Sequence, residues 1–277
     1  MTYITSGGAT VAAMEYFGDG VADVVWAANA SLASPQIFHN LTINAGVVIT
    51  GAGYPIMVSG TLTLGAGAII KVNGGDTATF AAGAGAGAAI FGGGSAGGVG
   101  NTFGGSPGLD IDVSAGAAGG AGGGPGGGPG AAGVVTPIVN NGKYLLHALP
   151  LAASGMCWKG TATTKFNGGS GGGGGGADFT YKGGGGGGGA GVMVVLAKNI
   201  VWGSGAKMQA NGGHGGDGQV GGLSGGGGGG GGGYFALVYR SVTGALAVEA
   251  LGGIHGNGSG RANGDDGTPG TTVILPV

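Results

Sequence analysis

Apolar residues along this chain come in short alternating bursts, not in helical stripes. Residues 234–241 read YFALVYRS, and residues 56–75 read IMVSGTLTLGAGAIIKVNGG. Such bursts, rich in β-branched residues and separated by Gly/Ala turns, predict short strands. No long amphipathic helix is visible. YLLHALPLAAS at 144–154 predicts at most a short helix broken by Pro150.

The bursts repeat. Residues 194–213, VVLAKNIVWGSGAKMQANGG, align with 56–75 without a gap, matching Gly65 to Gly203, Ala68 to Ala206 and Asn73 to Asn211. A third copy at 235–253 matches with a shortened turn, and LTINAGVVITGAGYPIMVSG at 41–60 follows the same strand-turn order. Repeats of this kind predict stacked rungs or a small sandwich. The last strand is TTVILPV at 271–277.

Between the bursts the chain is glycine, 81 residues of 277, including nine in a row at 225–233. Flexible linkers are usually interspersed with Ser, Thr, Glu or Lys; these runs are mostly bare and recur throughout. The reading is therefore an ordered one: polyglycine-II helices packed side by side, each pairing its N–H and C=O groups with neighbours. The expected fold is mainly β plus irregular. A β platform of short stacked strands, β-helix- or sandwich-like, carries a packed bundle of polyglycine-II helices. Residues 1–72 form an N-terminal attachment region and platform. Residues 73–277 form the glycine-rich domain, interleaved with platform strands at 192–210, 235–251 and 271–277.

Strand positions fix the direction of the glycine runs. The run at 183–191 feeds a strand, so 168–176 leads outward and 177–182 turns at the far end. The same reasoning sends 219–224 and 261–263 to that end. At about 3.1 Å per residue, nine residues place these turns about 28 Å from the platform. Ser224, as a turn residue, is expected to tolerate substitution; Gly229, mid-run, is not. For 73–133 the direction is unassigned, and 134–167 is the one long insert poor in glycine.

Composition removes several functions. Nine Lys and Arg against eleven Asp and Glu give a net charge of −2, and 7% of residues are charged. No basic patch is present to meet phosphate, which argues against nucleic acid. Cys157 is the single cysteine, so no intrachain disulfide forms and a zinc site is disfavoured. The N-terminal residues show neither the basic nor the apolar region of a signal peptide, and no apolar stretch approaches a membrane span.

The chain resembles phage tail-fibre adhesins of the T-even-like type and a wider set of glycine-rich phage structural proteins. The matching pieces are Phe17-Gly18-Asp19-Gly20, NLTINAGVVI at 40–49, the glycine runs at 171–176, 183–189 and 225–233, and TTVILPV. It differs from those adhesins in its larger β part and the 134–167 insert. The resemblance implies a virion receptor-binding protein at a tail or fibre tip, made in the host cytoplasm. It would meet a bacterial outer-surface receptor, protein or glycan, through distal turns, and another virion tail or fibre protein through its N-terminal region. Symmetric fibres are commonly trimers, so a homotrimer is one arrangement, although an intrachain bundle needs no partner chain. The expected contacts are Phe179, Tyr181, Val220, Leu223 and Arg261, since aromatic rings anchor contacts at low entropic cost. Sealing of the bundle end is the rival role for Phe179 and Tyr181. Rival functions are a purely structural tail or capsid decoration, an ice-binding protein and an enzyme on a β-helix.

Chemistry is thin. GxGxxG strings lack the strand–helix context of a nucleotide site, and no GxSxG elbow is present. His214 and His255 occupy near-equivalent positions and are read as caps of glycine helices or a metal pair. Asp110, Asp112, Asp265 and Asp266 lie beside turn formers and are read as turns ahead of Ca²⁺ ligands. Trp26 and Trp202 are expected in the platform core, and Cys157 and Trp158 in local packing. The reading is therefore a binding protein with no enzyme activity, cofactor or metal.

Overall fold

The computed structural model describes residues 17–77, 79–86, 93–101, 105–106, 168–178 and 180–277. Its strands are β1 (Asp23–Trp26), β2 (Ala30–Ser31), β3 (Gln36–Phe38), β4 (Asn40–Ile43), β5 (Val48–Thr50), β6 (Ile56–Leu64), β7 (Ile69–Lys71), β8 (Val192–Trp202), β9 (Lys207–Gln209), β10 (Tyr234–Thr243), β11 (Val248–Glu249) and β12 (Thr271–Pro276). They form two parallel sheets. One has the order β1-β4-β6-β8-β10-β12, with β3 also on β6, and the other the order β11-β9-β7-β5-β2.

Each rung gives one strand to each sheet through a tight turn. Gly46, Gly67, Gly205 and Gly244 hold φ of 70°, 67°, 71° and 101° in these turns, a region that favours glycine. Successive turns are stitched by Gly46 N–H to Ala66 C=O and Gly67 N–H to Ser204 C=O, both 2.9 Å.

Rung register follows the repeat. Thr61 pairs with Asn199, Leu64 with Trp202 and Ile69 with Lys207, the spacing of the ungapped alignment. Upstream, Ile56 pairs with Val195, one residue out of phase, because the ladder shifts between Val58 and Thr61. A bulge of this kind inserts a residue into one strand.

The main core lies between the sheets and includes Leu41, Ile43, Ile49, Leu64, Ile70, Met193, Ile200, Met208 and Phe235. A second core on the other face of the larger sheet holds Phe17, Met57, Val192, Val194, Leu196, Tyr234, Ala236 and Val238. Alternate residues of β8 therefore bury on opposite faces, which explains its unbroken apolar run, VMVVLA. Trp202 is buried and gives its indole N–H to the Ala206 carbonyl at 2.9 Å. Trp26 packs edge-on to Phe38 at 5.6 Å.

The expected bundle of polyglycine-II helices is corrected by this architecture. The described residues form strands and no helix, and the regular structure is the pair of parallel sheets. The glycine segments form neither element, and their hydrogen bonds explain why. Along 225–233, Gly225, Gly228 and Gly231 donate to Gly176, Gly173 and Ser170. Gly227, Gly230 and Gly233 donate to Gly216, Gly213 and Ala210, while Gly226, Gly229 and Gly232 donate to Ala262, Asp265 and Thr268. Consecutive donors never share a partner segment, so no two-strand ladder accumulates. No bond returns within the segment, so no α- or 3₁₀-helix closes. The result is extended chain, buried throughout 225–233 and held by lateral bonds.

Candidate functional site

The glycine segments carry three turns to one place. Segment 168–176 runs antiparallel to 183–191, with Gly172 N–H on Gly187 C=O and Gly175 N–H on Gly184 C=O. Segment 225–233 runs antiparallel to 211–218, and 264–270 antiparallel to 252–258. Their connecting turns meet. Ala177 and Gly260 both bridge to Ser224, and Asp178 N–H donates to Leu223 C=O at 3.2 Å. Gln219 N–H donates to Lys182 C=O at 2.9 Å, and Lys182 N–H returns to the Gln219 side-chain oxygen at 3.0 Å.

The proposed contact residues divide. Tyr181 is half-buried, with its ring pressed on Gly222, where a Cβ would overlap the ring carbons. Val220 is 86% exposed and Leu223 41% exposed, and a Leu223 methyl approaches Gly260. Arg261 is exposed. Phe179 lies outside the described residues, as do residues 1–16, Asp110, Asp112, His147, Cys157, Trp158 and the insert 134–167. The structure thus brings Tyr181, Val220, Leu223 and Arg261 onto adjoining turns.

One turn expectation fails. Ser224 is fully buried, donates its hydroxyl to Gln219 C=O at 2.9 Å and exchanges backbone bonds with Ser259. It ties the three turns, so substitution there is expected to disturb all three.

Electrostatics at the turns are open. Lys182 and Arg261 are exposed and belong to neither of the ion pairs among the described residues, Lys207–Glu249 and His255–Asp266. One carboxylate oxygen of Asp178 is buried with no hydrogen-bond partner among the described residues. The arrangement offers apolar contact, two cations and hydrogen-bonding amides.

The histidines serve the outer faces of the glycine segments. His214 Nδ1 accepts the Ile254 N–H at 2.8 Å, and His255 Nδ1 lies 2.6 Å from Asp266. The Asp266 carboxyl sits below its usual range because the His255 backbone N–H, and then its ring, bond to it. Among the described residues no three His, Cys, Asp or Glu side chains converge on a metal position.

These histidine contacts belong to a device that sequence reasoning missed. Asn73 accepts from Asn211 N–H, and Asn211 in turn from Leu251 N–H. Asp76 accepts from His214 N–H, and Asp217 from Asn257 N–H. An outward polar side chain at every third position thus receives the backbone donor of the next segment. The signal was present in the spacing of Asn211, His214 and Asp217, each separated by a Gly-Gly pair.

No protein-family model matches this chain, and no curated protein or solved structure matches it.

Proposed function

We propose that this chain is a receptor-binding protein of a phage virion, contacting the bacterial surface through the joined turns 177–182, 219–224 and 260–264. The observation that carries the reading is the exposure of Val220 and Leu223 on turns that buried backbone holds together. Apolar side chains fixed at a rigid tip cost solubility and mark contact surfaces. The N-terminal region would dock to another tail or fibre protein. A purely structural decoration is the second reading, favoured by the packing of Tyr181 on Gly222, which is what a ring sealing the segment ends would do.

One experiment separates them. Virions carrying Val220→Asp with Leu223→Asp are compared with Tyr181→Ala virions for adsorption and for content of the chain. Receptor binding predicts a roughly tenfold or greater loss of adsorption for the double variant, equivalent to about 1.4 kcal/mol, at unchanged chain content. Unchanged adsorption refutes the receptor reading. Loss of the chain from Tyr181→Ala particles alone supports sealing.

A further inference from the structure

The outer face of the smaller sheet carries a polar column that is engaged at one end and free at the other. On β5 and β7, Ile49 and Ile70 are buried in the core, so Thr50 and Lys71 beside them lie on the outer face. Ser31 stands next to Thr50, and Thr50 next to Lys71, in parallel register. The column continues through Gln209 to Glu249. At that end the polar groups bond one another, since Glu249 accepts from Lys207 at 2.8 Å and from Gln209 at 2.9 Å. At the β2 end the Ser31 and Thr50 hydroxyls and the Lys71 ammonium have no side-chain partner among the described residues.

Ser31, Thr50 and Lys71, with Asn29, Ala30 and Val48, line a cavity of about 380 Å³, inside the ~300–1,000 Å³ range of small-molecule sites. Asn29 is held in one orientation there. Its Oδ1 accepts the Val48 N–H at 2.8 Å, which leaves its NH2 group to donate. Each polar side chain of the lining therefore offers a hydrogen, the hydroxyls can also accept, and no carboxylate is among them. The acid of the same column, Glu249, stands two strands from Lys71, about 9–10 Å at the usual strand spacing, and is already paired with Lys207. Val48 and Ala30 supply the apolar part of the lining.

We propose that this cavity binds an acid sugar, a hexuronate. Its carboxylate meets the Lys71 ammonium, its ring hydroxyls bond Ser31, Thr50 and Asn29, and its C–H face rests on Val48. One ammonium without a counter-ion matches one carboxylate. A bare oxyanion would leave most of the volume to water, whereas a sugar ring brings oxygens to the two hydroxyls and the amide. The site lies on the platform and not on the joined turns, so the inference is independent of the receptor reading.

Titration of the isotope-labelled full chain with sodium glucuronate, followed by amide NMR, tests it. Glucose, sodium acetate and inorganic phosphate are the comparison probes, and Lys71→Gln, Thr50→Val and Lys198→Gln the variants. The expected result is saturable shifts at Ser31, Thr50, Lys71 and the Asn29 side-chain amide. A Kd on the order of 1 mM follows from ordinary ligand efficiency for a molecule of this size. Lys71→Gln should weaken glucuronate binding roughly tenfold or more, the effect of one hydrogen bond to a charged group, and glucose should bind the wild type as weakly. Thr50→Val should weaken it roughly fivefold. Lys198→Gln, on β8 of the other sheet, should leave it unchanged. If Lys71→Gln loses its fold by circular dichroism, Thr50→Val decides alone. No shift at about 10 mM glucuronate, equal affinity for glucose, acetate or phosphate, or an affinity unmoved in folded Lys71→Gln overturns the proposal.

Discussion

Replacing Gly229 by alanine tests whether buried glycine backbone holds this protein together. A Cβ at Gly229 would overlap the carbonyl of Gly253 and crowd the nitrogen of Gly267 at 2.9 Å. Both obstacles are backbone, so no rotamer change relieves them. Overpacking of this kind costs about 1–3 kcal/mol. Moving the segments apart also strains the bonds Gly229 to Asp265, Gly253 to Gly230 and Gly267 to Gly253, each worth about 0.5–1.5 kcal/mol. Alanine recovers roughly 0.4–1 kcal/mol by restricting the unfolded chain. The net loss is therefore on the order of 1.5–7 kcal/mol, a large part of the roughly 5–15 kcal/mol that holds a typical domain. Urea denaturation followed by tryptophan fluorescence measures it, with Val220→Ala as the exposed control expected within about 0.5 kcal/mol of wild type. A Gly229→Ala loss as small as the control's would refute the close packing of these segments.

Other perturbations probe the outer faces. Asn211→Ala removes the acceptor for Leu251 N–H and a donor to Glu249; the expected loss is about 1–2 kcal/mol by denaturation, and Asn211→Asp, which keeps the acceptor but sets a carboxylate against Glu249, should recover more at low pH than at neutral pH. The Glu249 carboxyl is held below its usual range by Lys207, then Gln209, against the opposing effect of burial. A depressed carboxylate contributes stability above its unfolded pKa, about 4.3, and loses it as the pH falls through the folded value. Thermal melts from pH 6 downward, at about that range, should therefore show an acid-side loss that Glu249→Gln reduces. Burial pushes the Tyr234 hydroxyl up to about 12. Because the neutral form is favoured, stability is lost as the pH rises from about 10 toward that value, and ultraviolet titration should show one late-ionising tyrosine absent from Tyr234→Phe.

The sequence disclosed the rungs because side-chain period and turn glycine act locally. The ungapped match of Gly65 to Gly203 is the register found from Thr61 to Lys71, and the shortened turn of the third copy appears as the change in offset between Thr243↔Val201 and Val248↔Met208. The glycine segments were harder to read. A bare backbone carries no side-chain record of which neighbour each N–H meets, so the partners of each segment were not legible, and a bundle of helices was expected where the regular structure of the described residues is two parallel sheets. The same blindness hid Ser224, whose burial depends on two turns remote in sequence. The sequence reads His214 as a cap or a metal ligand and assigns no role to Asn211 or Asp217, because their acceptor role exists only once another segment lies beside them.

The stacking of β8 directly on β6 sets the timetable of folding. The chain leaves the third rung at Lys71 and returns at Val192, yet Thr63 and Val201 are paired neighbours. Loop closure lengthens only logarithmically with chain, about 0.6 kcal/mol per doubling, but contacts this distant in sequence slow folding. During synthesis, β6 and β7 are complete long before their covering strands exist. The nascent chain therefore passes through a stage in which Leu62, Ile70 and Met57 lack the residues that bury them. Correct assembly depends on keeping that apolar edge from other chains until Val192 and the strand behind it emerge.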